Sequence, residues 1–221
     1  AVLDAGIAMR SGEMPDPRVF RSAKALHRDL SALLLIDTSE STRAPLASGG
    51  TVLDVERLAV ALLAEAMDQL GDAFGLLAFA SDGRDDVRMT NVKGFEEAYD
   101  RDCRARLAGL SSGLSTRLGT ALRHAGAVIG NTSTSRRLLI VLTDGEPSDI
   151  DVSDPLDLID DARRAAIGLH AQGIDAYGVV LGRAGADAAT RIFGRGNAML
   201  VHRVEDLPAR LSELYFRLAR R

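Results

Sequence analysis

The chain is predicted to fold as a doubly wound α/β domain: a mostly parallel sheet flanked by helices, Rossmann-like in layout, with one antiparallel edge strand. Three observations predict it. Four short apolar runs, Leu33–Ile36, Phe74–Phe79, Leu138–Leu142 and Ala176–Leu181, lack the polar–apolar alternation of a half-solvated strand, as strands covered on both faces do. Amphipathic stretches of helical period lie between them. With 221 residues, 46% hydrophobic and 26% charged, the chain can bury one sizeable core.

Residues 1–30 read as an N-terminal arm, basic and proline-interrupted in "PDPRVFRSAKALHRDL", with Arg18, Arg21, Lys24 and Arg28. An extended segment and a short helix are expected there, continuing from upstream parts of a longer protein. Residues 31–221 form the domain. Its first strand, Leu33–Ile36, runs straight into "DTSES". A helix follows over Val52–Leu70, with apolar residues at Val55, Leu58, Ala59, Leu62, Leu63, Ala66, Met67 and Leu70 on one expected buried face. Thr51 with Asp54 three residues on marks its start, and Gly71 its stop. After Phe74–Phe79, the segment Asp82–Asn91, "DGRDDVRMTN", is a charged turn and a short alternating strand, read as an edge hairpin. Further helices are expected at Glu96–Ala108, Leu118–Ile129, Leu156–Ala171 and Leu207–Leu218, with a weaker strand at Met199–Val201.

Bulk properties remove several function classes. A formal net charge of −4 gives no global attraction to nucleic acid or an anionic membrane, and the basic arm lacks the aromatics that stack on bases. No apolar run approaches the roughly 20 residues that span a bilayer. One cysteine, Cys103, excludes a disulfide framework and a cysteine zinc site, which fits a cytoplasmic setting. Arg101, Arg104 and Arg106 would lower its pKa, yet a plain helix thiol is the favoured reading. The four histidines are scattered and pair with no nucleophile. Neither a GxGxxG turn between strand and helix nor a Walker sequence occurs, so ATP binding would have to come from a partner.

Three loops carry matching polar chemistry. Asp37, Ser39 and Ser41 alternate directly after the first strand, Thr116 precedes the helix starting near Leu118, and Asp144 follows the strand Leu138–Leu142. Ligands of open α/β sheets bind at these carboxyl ends. Two carboxylates and three hydroxyls make an all-oxygen set suited to a hard divalent cation, with Mg²⁺ taking about six oxygens at about 2.0–2.1 Å. The absence of His and Cys from these loops argues against zinc or copper. Mg²⁺ is the expected ion; Mn²⁺ and Ca²⁺ suit the same set. Each piece alone has a plainer meaning: a polar turn for Asp37-x-Ser39, a helix cap for Thr116, a loop for "TDG".

Together, Asp37-x-Ser39-x-Ser41, Thr116 and Asp144 resemble the metal-ion-dependent adhesion site of von Willebrand factor A domains, over about residues 30–221. The resemblance implies that Asp37, Ser39 and Ser41 are first-loop ligands, Thr116 the second-loop ligand, and Asp144 the third-loop acid. It also implies a role: the metal accepts an Asp or Glu of a partner protein rather than activating water, so the domain is not an enzyme. "PDPRVF…HRDLSALLLIDTSEST", "FASDGRDDVRMTNVKGF", "LSTRLGTALRHA" and "TDGEPSDIDV" further resemble the C-terminal domain of CbbO/NorD-type proteins, partners of hexameric MoxR-type AAA+ ATPases. That resemblance implies an adaptor that presents a target to the ATPase. Glu40 leans toward the CbbO branch, whose target is Rubisco; the NorD branch is tied to nitric oxide reductase activation. The "SDGRDD" hairpin is exposed and charged, suited to target selection or simply to discouraging strand aggregation.

The rival from another class is a phosphohydrolase using Asp37 as nucleophile. Aspartate phosphatases carry a second Asp two residues on, where this chain has Ser39. Chelatase subunits and extracellular adhesion proteins share the metal motif, but the four stretches above do not point to them.

Overall fold

The computed structural model describes residues 28–182 and 185–220. Expectations for residues 1–27, including Arg18, Arg21 and Lys24, lie outside them. Strand β1 (Leu30–Asp37) is followed by helix α1 (Val52–Leu70), β2 (Ala73–Ser81), β3 (Val87–Lys93), α2 (Arg101–Ala108), α3 (Leu118–Gly130), β4 (Arg136–Thr143), α4 (Pro155–Ala171), β5 (Ile174–Leu181), α5 (Ala186–Phe193), β6 (Ala198–Val201) and α6 (Leu207–Ala219). Among the described residues these strands form one sheet in the order β3-β2-β1-β4-β5-β6. All neighbours are parallel except the β2–β3 hairpin at one edge, as the sequence predicts.

Strand periodicity sorts β1 into two cores. Leu30, Ala32, Leu34 and Ile36 point into one, with α1, α2 and α6, while Leu33 and Leu35 point into the other, with α3, α4 and α5. Both layers are needed because β1 is buried along its whole length. The chain order reverses between β1 and β4. That switch point opens a crevice at their carboxyl ends, where Asp37 closes β1 and Asp144 follows β4.

Local signals hold where they depend on neighbours in sequence. Thr51 and Asp54 form a reciprocal capping box, and Gly71 ends α1 in the left-handed conformation at φ 70°. The buried face of α1 keeps Ala59, Leu63 and Met67 of the expected one but is rotated away from the rest. Leu58, Leu62 and Leu70 are exposed at 54%, 52% and 44%, and the core face is Val52, Leu53, Glu56, Ala59, Val60, Leu63, Ala64 and Met67. Both stripes recur with helical period; packing against α6 and the sheet selects the one that contains a glutamate. The helix expected at Glu96–Ala108 begins only at Arg101, because the Asp100 carboxylate accepts the amides of Asp102 and Cys103 and starts it there. Helix α5 was not expected. Its eight residues are bracketed by glycines.

Cys103 is buried, its thiol donates to the Ala98 carbonyl at 3.2 Å, and burial raises its pKa despite Arg106 nearby. Arg28 pairs with Asp72 at 2.7 Å, and the Tyr215 hydroxyl donates to the same carboxylate oxygen at 2.7 Å, fastening the start of the described chain to α6. No helix among the described residues is long and apolar enough to cross a membrane.

Candidate metal centre

β1 delivers Asp37 at its last position, 1% exposed and walled by β2 and β4. Beyond it the chain tightens into a 3-10 turn, Glu40–Arg43, rather than an open loop. The amide of Ser39 donates to Asp37 Oδ1 at 2.9 Å and shapes this turn. Thr38 points down, its hydroxyl donating to the Phe79 carbonyl at 2.9 Å, whereas Ser39 and Ser41 point up with their oxygens 3.0 Å apart. Ser41 Oγ in turn donates to Asp144 Oδ1 at 2.7 Å. Glu40 is exposed and pairs with Arg43 at 3.0 Å, outside the cluster.

Thr116 joins from the second loop, its hydroxyl 3.3 and 3.5 Å from the two Asp37 oxygens. The helix-cap alternative does not hold: Arg117 occupies the cap position of α3, with no side-chain cap, and the Thr116 hydroxyl faces Asp37. All five sequence-derived residues therefore converge at one place, from three loops. Asp37, Ser39 and Thr116 are buried, Asp144 is half-buried and Ser41 is exposed, so the cluster opens to solvent on the Ser41–Asp144 side.

Burial pushes the Asp37 carboxyl up to about 6, against the pull of its hydrogen bonds from Ser39, with the charge of Asp144 adding to the rise. Burial also raises Asp144, partly offset by the Ser41 hydroxyl. Both carboxyls are thus raised by burial, lie among hydroxyls, and among the described residues neither forms an ion pair with a basic side chain. The donor set is all oxygen, which fits Mg²⁺, Mn²⁺ or Ca²⁺. The Asp37 oxygens accept from the Ser39 amide and from the Thr143 hydroxyl, both at 2.9 Å, which fixes the carboxyl in place.

Several residues that support the cluster escaped the sequence reading. Thr143, last in β4, holds Asp37 from the sheet side. Asp149, whose side chain is fully enclosed, accepts from Ser81 at 2.8 Å, from the amides of Gly83 at 2.9 Å and Ile150 at 2.8 Å, and from Arg117 at 2.9 Å. Burial would raise its pKa, but these donors outweigh burial and hold it below the ordinary carboxylate range. Arg117 also pairs with Asp151, which accepts the Arg84 amide at 2.8 Å. The clamp ties the β2–β3 hairpin and the second and third loops together, aided by the Thr116 amide donating to Ser148 at 2.7 Å. Beside it, Leu114 sits at φ 68°, the one non-glycine residue in the left-handed region among those described, and its carbonyl accepts the Glu40 amide at 2.9 Å.

Gly185 is the least visible support. A Cβ there would lie 2.5 Å from the Gly145 carbonyl oxygen and 2.8 Å from its carbon, backbone against backbone, with no side chain able to yield. Gly185→Ala is expected to displace the turn carrying Asp144 and weaken Mn²⁺ binding by about tenfold, the order seen when outer supports of metal ligands are removed. Calorimetric Mn²⁺ titration, with circular dichroism to confirm the fold, checks this; an unaltered affinity would refute it.

Comparison with known proteins places this geometry in a family. The model of the von Willebrand factor type A domain matches residues 33–216. An uncharacterized protein of Pseudomonas aeruginosa is 38% identical over 220 residues, covering all of this chain and 36% of the relative. Proteins named NorD from Brucella melitensis and Stutzerimonas stutzeri are 35% and 33% identical, over 99% and 91% of this chain and 34% and 33% of theirs. The chain thus spans about a third of the length of the curated relatives it matches. Among solved structures, the PilB minor pilin from Streptococcus sanguinis superposes with a TM-score of 0.69 at 13% identity, over 94% of this chain and 64% of the pilin. Proximal thread matrix protein 1 from the mussel byssus, described with a zinc-occupied metal-ion-dependent adhesion motif, superposes at 0.65 and 17% identity, over 87% and 48%. At such identities the likeness is one of fold.

Proposed function

This chain belongs to the von Willebrand factor type A domain family, and on that premise we propose that Asp37, Ser39, Ser41, Thr116 and Asp144 hold a divalent cation, Mg²⁺ first, which docks a carboxylate of a target protein. The observation that carries the reading is the convergence of five oxygen-bearing side chains from three loops, with the buried Asp37 at their centre. When bound, the cation supplies Lewis acidity toward one incoming carboxylate oxygen. The chain's own residues do the rest. Asp37, fixed by Ser39, Thr143 and Thr116, provides an anchored negative charge; Ser39 and Ser41 provide neutral oxygens; the solvent-facing side between Ser41 and Asp144 is left for the partner. The hairpin Asp82–Asp86, tied to the third loop through Gly83 and Arg84, stands where it can select among targets.

The role is that of a non-enzymatic adaptor for a MoxR-type AAA+ ATPase hexamer. The names of the matched relatives support the NorD branch, with nitric oxide reductase activation as the process served. The Rubisco branch rests on Glu40 alone, which stands exposed at the rim of the cluster.

Pull-down of nitric oxide reductase and of Rubisco, each with the ATPase present, in Mg²⁺ and in EDTA, tests the proposal. Retention of nitric oxide reductase in Mg²⁺ and its loss in EDTA are expected. Metal-dependent retention of Rubisco would move the assignment to the other branch, and retention indifferent to EDTA would overturn metal-mediated docking.

A further inference from the structure

We propose that Glu56 is a third carboxylate of the same centre, an outer ligand that meets the bound cation through water from the α1 side. The inference rests on the metal reading above and extends it to a residue outside the three loops. Helix α1 begins at the carboxyl-end side of the sheet, and Val52, Leu53, Ala59 and Val60 of its first turns share one core with Ile36 of β1 and Leu142 of β4, the residues just before Asp37 and two before Asp144. Its start is pinned to the first loop, with the Val52 amide donating to the Ala44 carbonyl at 3.1 Å and Pro45 bridging Thr51.

In the second turn Glu56 lies on the core-facing stripe between Leu53 and Ala59–Val60, with 0% exposure. Neither carboxyl oxygen has a hydrogen-bond partner. Among the described residues the charges that bear on it are those of Asp37 and Asp144, both acidic. A buried carboxyl without donor or counter-charge is among the costliest arrangements in a protein interior, and an aliphatic side chain of like volume would fill the place without that cost. What a carboxyl adds there is attraction for positive charge. A divalent cation at the Asp37–Asp144 cluster is that charge. The described residues form no group of three acidic side chains close enough to hold an ion jointly, so Glu56 reaches it one layer out, through a metal-bound water. The third negative charge would hold the ion more firmly than Asp37 and Asp144 alone.

Two measurements test this with Mn²⁺ as the probe. Calorimetric titration is expected to show Glu56→Gln binding Mn²⁺ about tenfold or more weakly than wild type, in the range that loss of outer partners costs. Metal-free Glu56→Gln should melt no lower than wild type, because no hydrogen bond is lost. Electron–nuclear double resonance on wild-type protein carrying carboxyl-¹³C glutamate is expected to show a carbon coupled to Mn²⁺, absent in Glu56→Gln. Wild-type affinity in Glu56→Gln overturns the proposal, as does the absence of coupling in wild type, a result that needs no variant to fold. If wild-type protein itself binds no Mn²⁺, the metal reading fails first, and the two failures are distinguished.

Discussion

Asp37→Ala is expected to abolish cation binding and metal-dependent target retention while leaving the sheet intact. Of the two loop carboxylates Asp37 is the buried one, and Ser39, Thr143 and Thr116 all orient on it. Removing it halves the ligand charge and frees the first turn from its anchor. Affinity for Mn²⁺ should fall by at least about a hundredfold, since even outer partners of ligands cost about 10–100-fold. Stability should change by no more than about 2 kcal/mol, because the loss of acceptors for three donors is offset by relief of a desolvated carboxylate. Calorimetry and circular dichroism read the two effects separately. Wild-type Mn²⁺ affinity in a folded Asp37→Ala protein would remove the central claim.

The second large effect concerns pH and the metal-free protein. Asp37 is raised from 3.8 to about 6 by burial first and by Asp144 in addition. Between these values the folded chain holds a proton that the unfolded chain has released. Stability therefore falls as pH rises through that window, by about 3 kcal/mol for a shift of about two units. Asp144 and Glu56 are shifted upward by burial as well and act with the same sign. Carboxyls lowered by hydrogen bonds, such as Asp29 and Asp100, act in the opposite sense but below the window. Urea denaturation in EDTA should thus show a lower midpoint at about pH 7.5 than at about pH 5, and added Mg²⁺ should restore the higher-pH value by binding the folded state. A pH-independent midpoint in EDTA would show that the acidic cluster is already neutralised by other means.

Fold and ligand cluster differ in how much of each was legible. The strands were readable because a strand covered on both faces must be apolar throughout, and β1, β2, β4 and β5 each extend the predicted runs by two to four residues. The Thr51 and Gly71 signals were readable because a cap is settled within a few residues. Asp37, Ser39 and Ser41 were readable because residues two apart can share a side of the chain, with Thr38 turned the other way to Phe79. Helix α5 was missed because eight residues between glycines carry too little periodic signal. The late start of α2 was missed because Glu96–Tyr99 continue its polarity pattern although Asp100 caps it.

By itself, then, the sequence determined the α/β class, the strand and helix order, the edge hairpin and the identity of five oxygen-bearing residues, all properties of short stretches. Tertiary structure decided which of two apolar stripes α1 turns inward, and with it that Glu56 lies buried near the cluster while Leu58 and Leu62 face solvent. It decided that Thr143 and not a helix cap completes the hold on Asp37, that Asp149 and Arg117 clamp three segments, and that Gly185 leaves room for the Asp144 turn. Each of these depends on a neighbour tens of residues away, and local propensity carries no record of such distant contacts; only packing brings them together.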